Sequence, residues 1–161
     1  MKRSSTIFLQ VVIVLIGMLA ASLLLLEPTK EGVNVHRTLF QVYFTDPFIA
    51  YIYLGSIAFF IALYKAIRLL GYVRRSEVFS HQSVKALRTI KHCAMTLVAF
   101  LFGAEAFIFI VQRSKSDDIA GGVMMGLILI FFSVVVATAA AVVEKTLQSA
   151  VDLKSENDLT V

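Results

Sequence analysis

Glu105 is the residue whose surroundings ask most of its chemistry. It sits in the run Ala94–Val111, in which every other side chain is uncharged. A carboxylate in hydrocarbon costs about 2.5–3.5 kcal/mol on insertion scales. It must therefore face other helices, be protonated or find a donor. Gly103 and Ala104 beside it leave room for a close neighbour. At similar depth on the preceding apolar run stand Tyr51, Gly55 and Ser56, whose two hydroxyls are candidate donors. Two uses follow: a neutral Glu that ties helices together, or a proton-, ion- or ligand-sensing group. No second acidic residue accompanies it in the apolar runs, so a transport pathway is not spelled out.

Other chemistry is thin. No His/Glu pair stands at zinc spacing, and neither a Gly-rich phosphate loop nor a Ser/His/Asp set appears. Cys93 is the single cysteine, which rules out an intrachain disulfide, and no Cys/His spacing fits a metal. His81, Ser80 and Ser83 are close in sequence, but serines there suit a helix cap better than a catalytic set. Neither an enzyme, a metal nor a cofactor is expected.

The elements that position Glu105 are four apolar runs: Ile7–Leu26, Pro47–Leu63, Ala94–Val111 and Ile119–Val143. Each is near the roughly 20 residues that a helix needs to cross a bilayer. With 58% hydrophobic residues, 16% charged and a mean hydropathy of +0.83, the chain is an all-α polytopic membrane protein. Allowing for helix beyond the apolar runs, the spans fall at about 7–26, 47–69, 92–112 and 119–143. A cytoplasmic connection, 72–91, and a tail, 144–161, complete a single transmembrane domain. The first run exceeds the 7–15 residues of a secretion signal's apolar core, so it reads as an uncleaved anchor.

Orientation comes from the basic residues. Eleven Lys and Arg fall on the Met1 side of the runs and four on the other (Lys30, Arg37, Arg113 and Lys115). That asymmetry puts both termini in the cytoplasm. It also explains the net charge of +4 without nucleic acid, since the cations set topology and meet anionic lipid.

Local signals refine the picture. Gln10 in the first span is placed to snorkel or to bond a neighbouring helix, and Glu27-Pro28 is expected to end that helix. The segment Pro28–Asp46 alternates in period two and reads as an interfacial aromatic girdle with Tyr43, Phe44 and Phe48. Asp46-Pro47 starts the second helix, and Gly71 is its expected C-cap. Ser80–Ser83 opens another helix, with Val84, Leu87 and Ile90 on one face and Lys85, Arg88 and Lys91 on others. Such a basic amphipathic helix lies on anionic lipid or docks a partner. Asp117 and Asp118 suit the start of the fourth helix. Gly122 and Gly126 form a GxxxG, which serves packing within the chain first and homo-oligomerisation second.

Three blocks resemble the bacterial membrane family "domain of unknown function 2975". They are Met1–Leu9, then Phe79-Ser80 with Ser83–Lys91, and the polar ending Asp152–Val161. The resemblance implies four spans in a bacterial, often Gram-positive, cytoplasmic membrane and supplies no activity. Relatives often stand beside a gene for a small Cro/C1-type helix-turn-helix regulator, which implies a cytoplasmic partner. The blocks lie on the expected cytoplasmic side. The expected docking surface is accordingly Arg74, Arg75, Lys85, Arg88 and Lys91 with Glu156, Asn157, Asp158, Leu159 and Val161 of the tail. The function expected is a non-enzymatic regulatory or sensory membrane component. Its rivals are a transport or membrane-integrity accessory working through Glu105, and a scaffold working through Gly122 and Gly126.

Overall fold

The computed structural model describes residues 3–30, 38, 40, 47–112 and 120–158. Those residues form four long helices: α1 (Arg3–Lys30), α2 (Pro47–Arg74), α3 (His81–Phe107) and α4 (Ala120–Asp158). All four are long and apolar enough to cross a membrane. A turn of π-helix, Ile108–Gln112, extends α3. Apart from residues 28–30, 38 and 40 the period-two segment lies outside the described residues, as do Asp117-Asp118 and the last three residues.

Each helix packs chiefly on the next, α1 on α2, α2 on α3 and α3 on α4. The chain runs up and down. Gln10 near the start of α1 donates to the Ile67 carbonyl near the end of α2 at 3.2 Å. Arg88 near the start of α3 meets Glu144 toward the end of α4. The outward faces stay apolar, as Phe8, Leu19, Leu54, Met124 and Phe131 are all more than half exposed. That is what a surface solvated by lipid tails requires.

Two helix ends differ from expectation, one through a contact with another helix and one through local bonds. α1 continues through Glu27-Pro28 to Lys30. Pro28 has no N–H for the Leu24 carbonyl four residues back, and the Tyr53 hydroxyl of α2 donates to that carbonyl instead. α2 passes Gly71 as ordinary helix and stops at Arg74. Its left-handed residue is Ser76, at φ 61°. Glu77 N–H reaches back to Tyr72 O at 2.9 Å and Ser76 N–H to Val73 O at 3.2 Å. This is the Schellman pattern of bonds with serine where glycine is usual.

The serine cluster starts α3 as its sequence suggests. Ser80 is extended (φ −136°, ψ 149°) and its side chain accepts from Ser83 N–H at 3.3 Å. The Ser83 hydroxyl, fully buried, donates to Glu77 O at 3.2 Å and so fastens the turn to the helix.

The apolar face of this opening stretch is not turned to lipid. Val84 and Leu87 close on Leu147 and Val151 of α4, with Leu69 and Val78 at the edge. The amphipathic helix thus finds its apolar partner within the chain, because α4 continues well beyond its apolar run and lies alongside. From there a seam between α3 and α4 runs the length of both. Its buried residues are Val84, Leu87, Ile90, Ala94, Ala104 and Glu105 on α3. Gly126, Ile130, Ala140, Glu144, Leu147 and Val151 lie on α4. Apart from one ten-residue gap on each helix and the adjacent pair Ala104-Glu105, the spacing is the three-and-four step of a helix face.

Candidate functional site

Among the described residues two carboxylates are buried, Glu105 and Glu144, and both lie on the α3–α4 seam. Eighteen residues separate Gly126 from Glu144 on α4, so the two sites stand about 27 Å apart along that helix. They are chemically opposite.

Glu105 is 8% exposed and its Oε2 has no hydrogen-bond partner. Its other carboxyl oxygen lies where a Cβ on Gly126 would stand. The glycine is therefore the seat of the glutamate, and any side chain there would evict the carboxyl. Tyr51 approaches from α2, its ring tilted 37° against that of Phe100 at 4.9 Å between ring centroids. Its hydroxyl rests against Gly103, where a Cβ would collide with it, and makes no hydrogen bond to Glu105. Ser56 turns away, donating to Tyr53 O of its own helix at 2.7 Å. Of the intramembrane candidates, then, Tyr51 packs on α3 at Gly103 and Phe100, Ser56 bonds within α2, and neither is bonded to Glu105. Gly126 joins the site from the helix-packing pair, whereas Gly122 faces open space with nothing within 4 Å.

Glu144 follows directly on the last apolar run. Arg88 Nε donates to its Oε1 at 2.8 Å and Lys91 Nζ to its Oε2 at 2.6 Å. Those two donors, Lys91 first, hold its carboxyl below the ordinary value of 4.5, against a smaller upward push from burial. The spacing of Arg88 and Lys91 puts both on one face of α3. Sequence reasoning missed Glu144, although its position one residue past an apolar run and beside Lys145 is the kind of signal that marks an interfacial ion pair.

The expected docking residues divide accordingly. Arg88 and Lys91 are engaged by Glu144, although the Arg88 side chain is still 56% exposed. Arg74, Arg75 and Lys85 are exposed, as are Glu156 and Asn157 near the end of α4. Asp158 ends α4, and Leu159–Val161 lie outside the described residues. No group of three or more His, Cys, Asp or Glu residues able to hold a metal occurs among the described residues.

A family model, "Protein of unknown function (DUF2975)", matches residues 31–161. The chain belongs to the DUF2975 family. Across the full length of both chains, this DUF2975 protein is 40% identical to the "Uncharacterized membrane protein YoaS" of Bacillus subtilis (strain 168). No solved structure matches it. The relative's description as a membrane protein agrees with four helices long and apolar enough to cross a membrane, and neither the family nor the relative carries an assigned activity.

Proposed function

We propose that the protein is a non-enzymatic regulatory or sensory component of a bacterial cytoplasmic membrane, acting through a cytoplasmic partner. The observation that carries this reading is where the chain invests its best packing. The cluster of Val84, Leu87, Leu147 and Val151 and the Glu144 ion pair lie beyond the apolar runs, at the end carrying most of the Lys and Arg. A protein that only filled the bilayer would gain little from an ordered helical platform outside it. With both termini on the cytoplasmic side, that platform presents Arg74, Arg75 and Lys85 together with the polar tail. A small helix-turn-helix regulator, as the family resemblance implies, is the partner to test.

Neutralising Arg74, Arg75 and Lys85 together, or removing Leu159–Val161, should abolish co-purification with the regulator encoded beside the gene. Membrane expression should be unchanged. Co-purification surviving both changes would sink the docking reading.

A second reading, a transport or membrane-integrity accessory, draws on the unpartnered Glu105 oxygen. It predicts that Glu105→Gln removes a proton- or solute-linked growth phenotype. Normal growth of that strain under acid and osmotic challenge would remove the reading. The scaffold reading is left with Gly122, the open half of the motif.

A further inference from the structure

Two of the cations at the basic end share one carboxylate within the chain; three others converge on a cleft. Lys65, Arg68 and Tyr72 on α2 and Gln82, Lys85 and Ala86 on α3 line a cleft of about 240 Å³. That is several times the ~30 Å³ share of one water in the liquid. No carboxylate lines it, and Lys65, Arg68 and Lys85 form no ion pair among the described residues. The spacing on α2 is i, i+3 and i+7, which keeps Lys65, Arg68 and Tyr72 on one face.

Arg68 is held as well as present. Its guanidinium lies 5.8 Å from the centre of the Tyr72 ring and 6.0 Å from that of Tyr64, one turn away on either side. Both separations are within reach of a cation–π attraction. A guanidinium steadied between two rings keeps its N–H fork free for two parallel bonds to an oxyanion. Tyr72 and Gln82 supply neutral donor groups beside it.

Depth selects the ligand. Lys65 stands two residues past Leu63, the end of an apolar run, so the cleft opens where a helix leaves the hydrocarbon and enters the head groups. Clusters of basic groups between membrane helices at that depth suit phosphate head groups. We propose that this cleft is a binding site for the phosphate of an anionic phospholipid head group, with Arg68 gripping two phosphate oxygens and Lys65 and Lys85 supplying point charges. Lys85 is shared with the docking set, whereas Lys65 and Arg68 are outside it, so variants at those two test the cleft apart from docking.

The test uses the full-length protein in a neutral detergent, with bound lipid counted by native mass spectrometry and the melting temperature followed in parallel. Phosphatidylglycerol should be retained and should raise the melting temperature relative to phosphatidylcholine. The double variant Lys65→Gln with Arg68→Gln should weaken phosphatidylglycerol retention at least tenfold. Arg74→Gln with Arg75→Gln, which removes the same charge outside the cleft, should leave retention intact. If the double variant does not fold, Arg68→Lys, which keeps the charge and loses the fork, should still weaken retention several-fold. Equal retention by wild type and the folded cleft variants overturns the proposal. So does equal loss in the Arg74/Arg75 control, which would mean diffuse attraction. Stabilisation by millimolar inorganic phosphate equal to that by phosphatidylglycerol would overturn the lipid as the source of the phosphate.

Discussion

Glu105 and Gly126 occupy the same small volume, one supplying a carboxyl and the other the absence of a side chain. Gly126→Ala should force the carboxyl to swing or the helices to part, at about 1–3 kcal/mol, the usual cost of overpacking. A fall in melting temperature in detergent would report it, with Gly122→Ala as the neutral comparison because nothing lies within 4 Å there. Adding Glu105→Ala should recover part of the loss, giving a coupling of at least about 0.5 kcal/mol, as expected for residues in contact. An additive pair would mean that the two do not share space. Glu105 was legible in the sequence because a charge in an apolar run is rare. Its seat was not, because the residue opposite depends on the register of two helices, and Gly126 reads equally well as half of a packing motif. Ser56 misled for the same reason: similar depth does not say which way a hydroxyl points.

Turns and caps set the elements, and Ser76 is the weak point among them. A residue with a Cβ in the left-handed region is strained, and glycine relieves it. Ser76→Gly should therefore stabilise the protein by about 0.5–1 kcal/mol, visible as a higher melting temperature. A lower one would show that the serine side chain contributes more than its backbone costs. The starts of α2 and α3 were readable because Pro47 and Ser80 act locally. The ends of α1 and α2 were not. Pro28 usually stops a helix, yet a hydroxyl from another helix serves the carbonyl it leaves unpaired. Gly71 can end a helix, but α2 runs on past it and closes with the bonds around Ser76. The first outcome is decided by a tertiary contact that no local signal carries, and the second by a serine in the left-handed position where glycine is usual.

For the whole molecule, the two-cation clamp on Glu144 ties the far ends of α3 and α4 together. Because its carboxyl is held below 4.5, the stabilisation it contributes is complete above that value. It is lost progressively as the pH falls through the lowered value. Melting followed by circular dichroism should show a fall in stability on acidification below about 4.5 that Glu144→Gln largely removes; an unchanged pH profile in that variant would place the acid sensitivity elsewhere. The four spans and their class were plain from hydropathy, while this clamp needed two helices brought side by side. α4 also has a mechanical consequence. It is one unbroken helix of 39 residues, about 58 Å long, of which residues 144–158 project about 22 Å past the apolar run. A rod anchored in lipid at one end and clamped to α3 at Glu144 beyond it carries any tilt of the span outward as a lever. A change of about 10° in the tilt of the span, such as a thinner or thicker bilayer imposes, sweeps its tip sideways by about 4 Å.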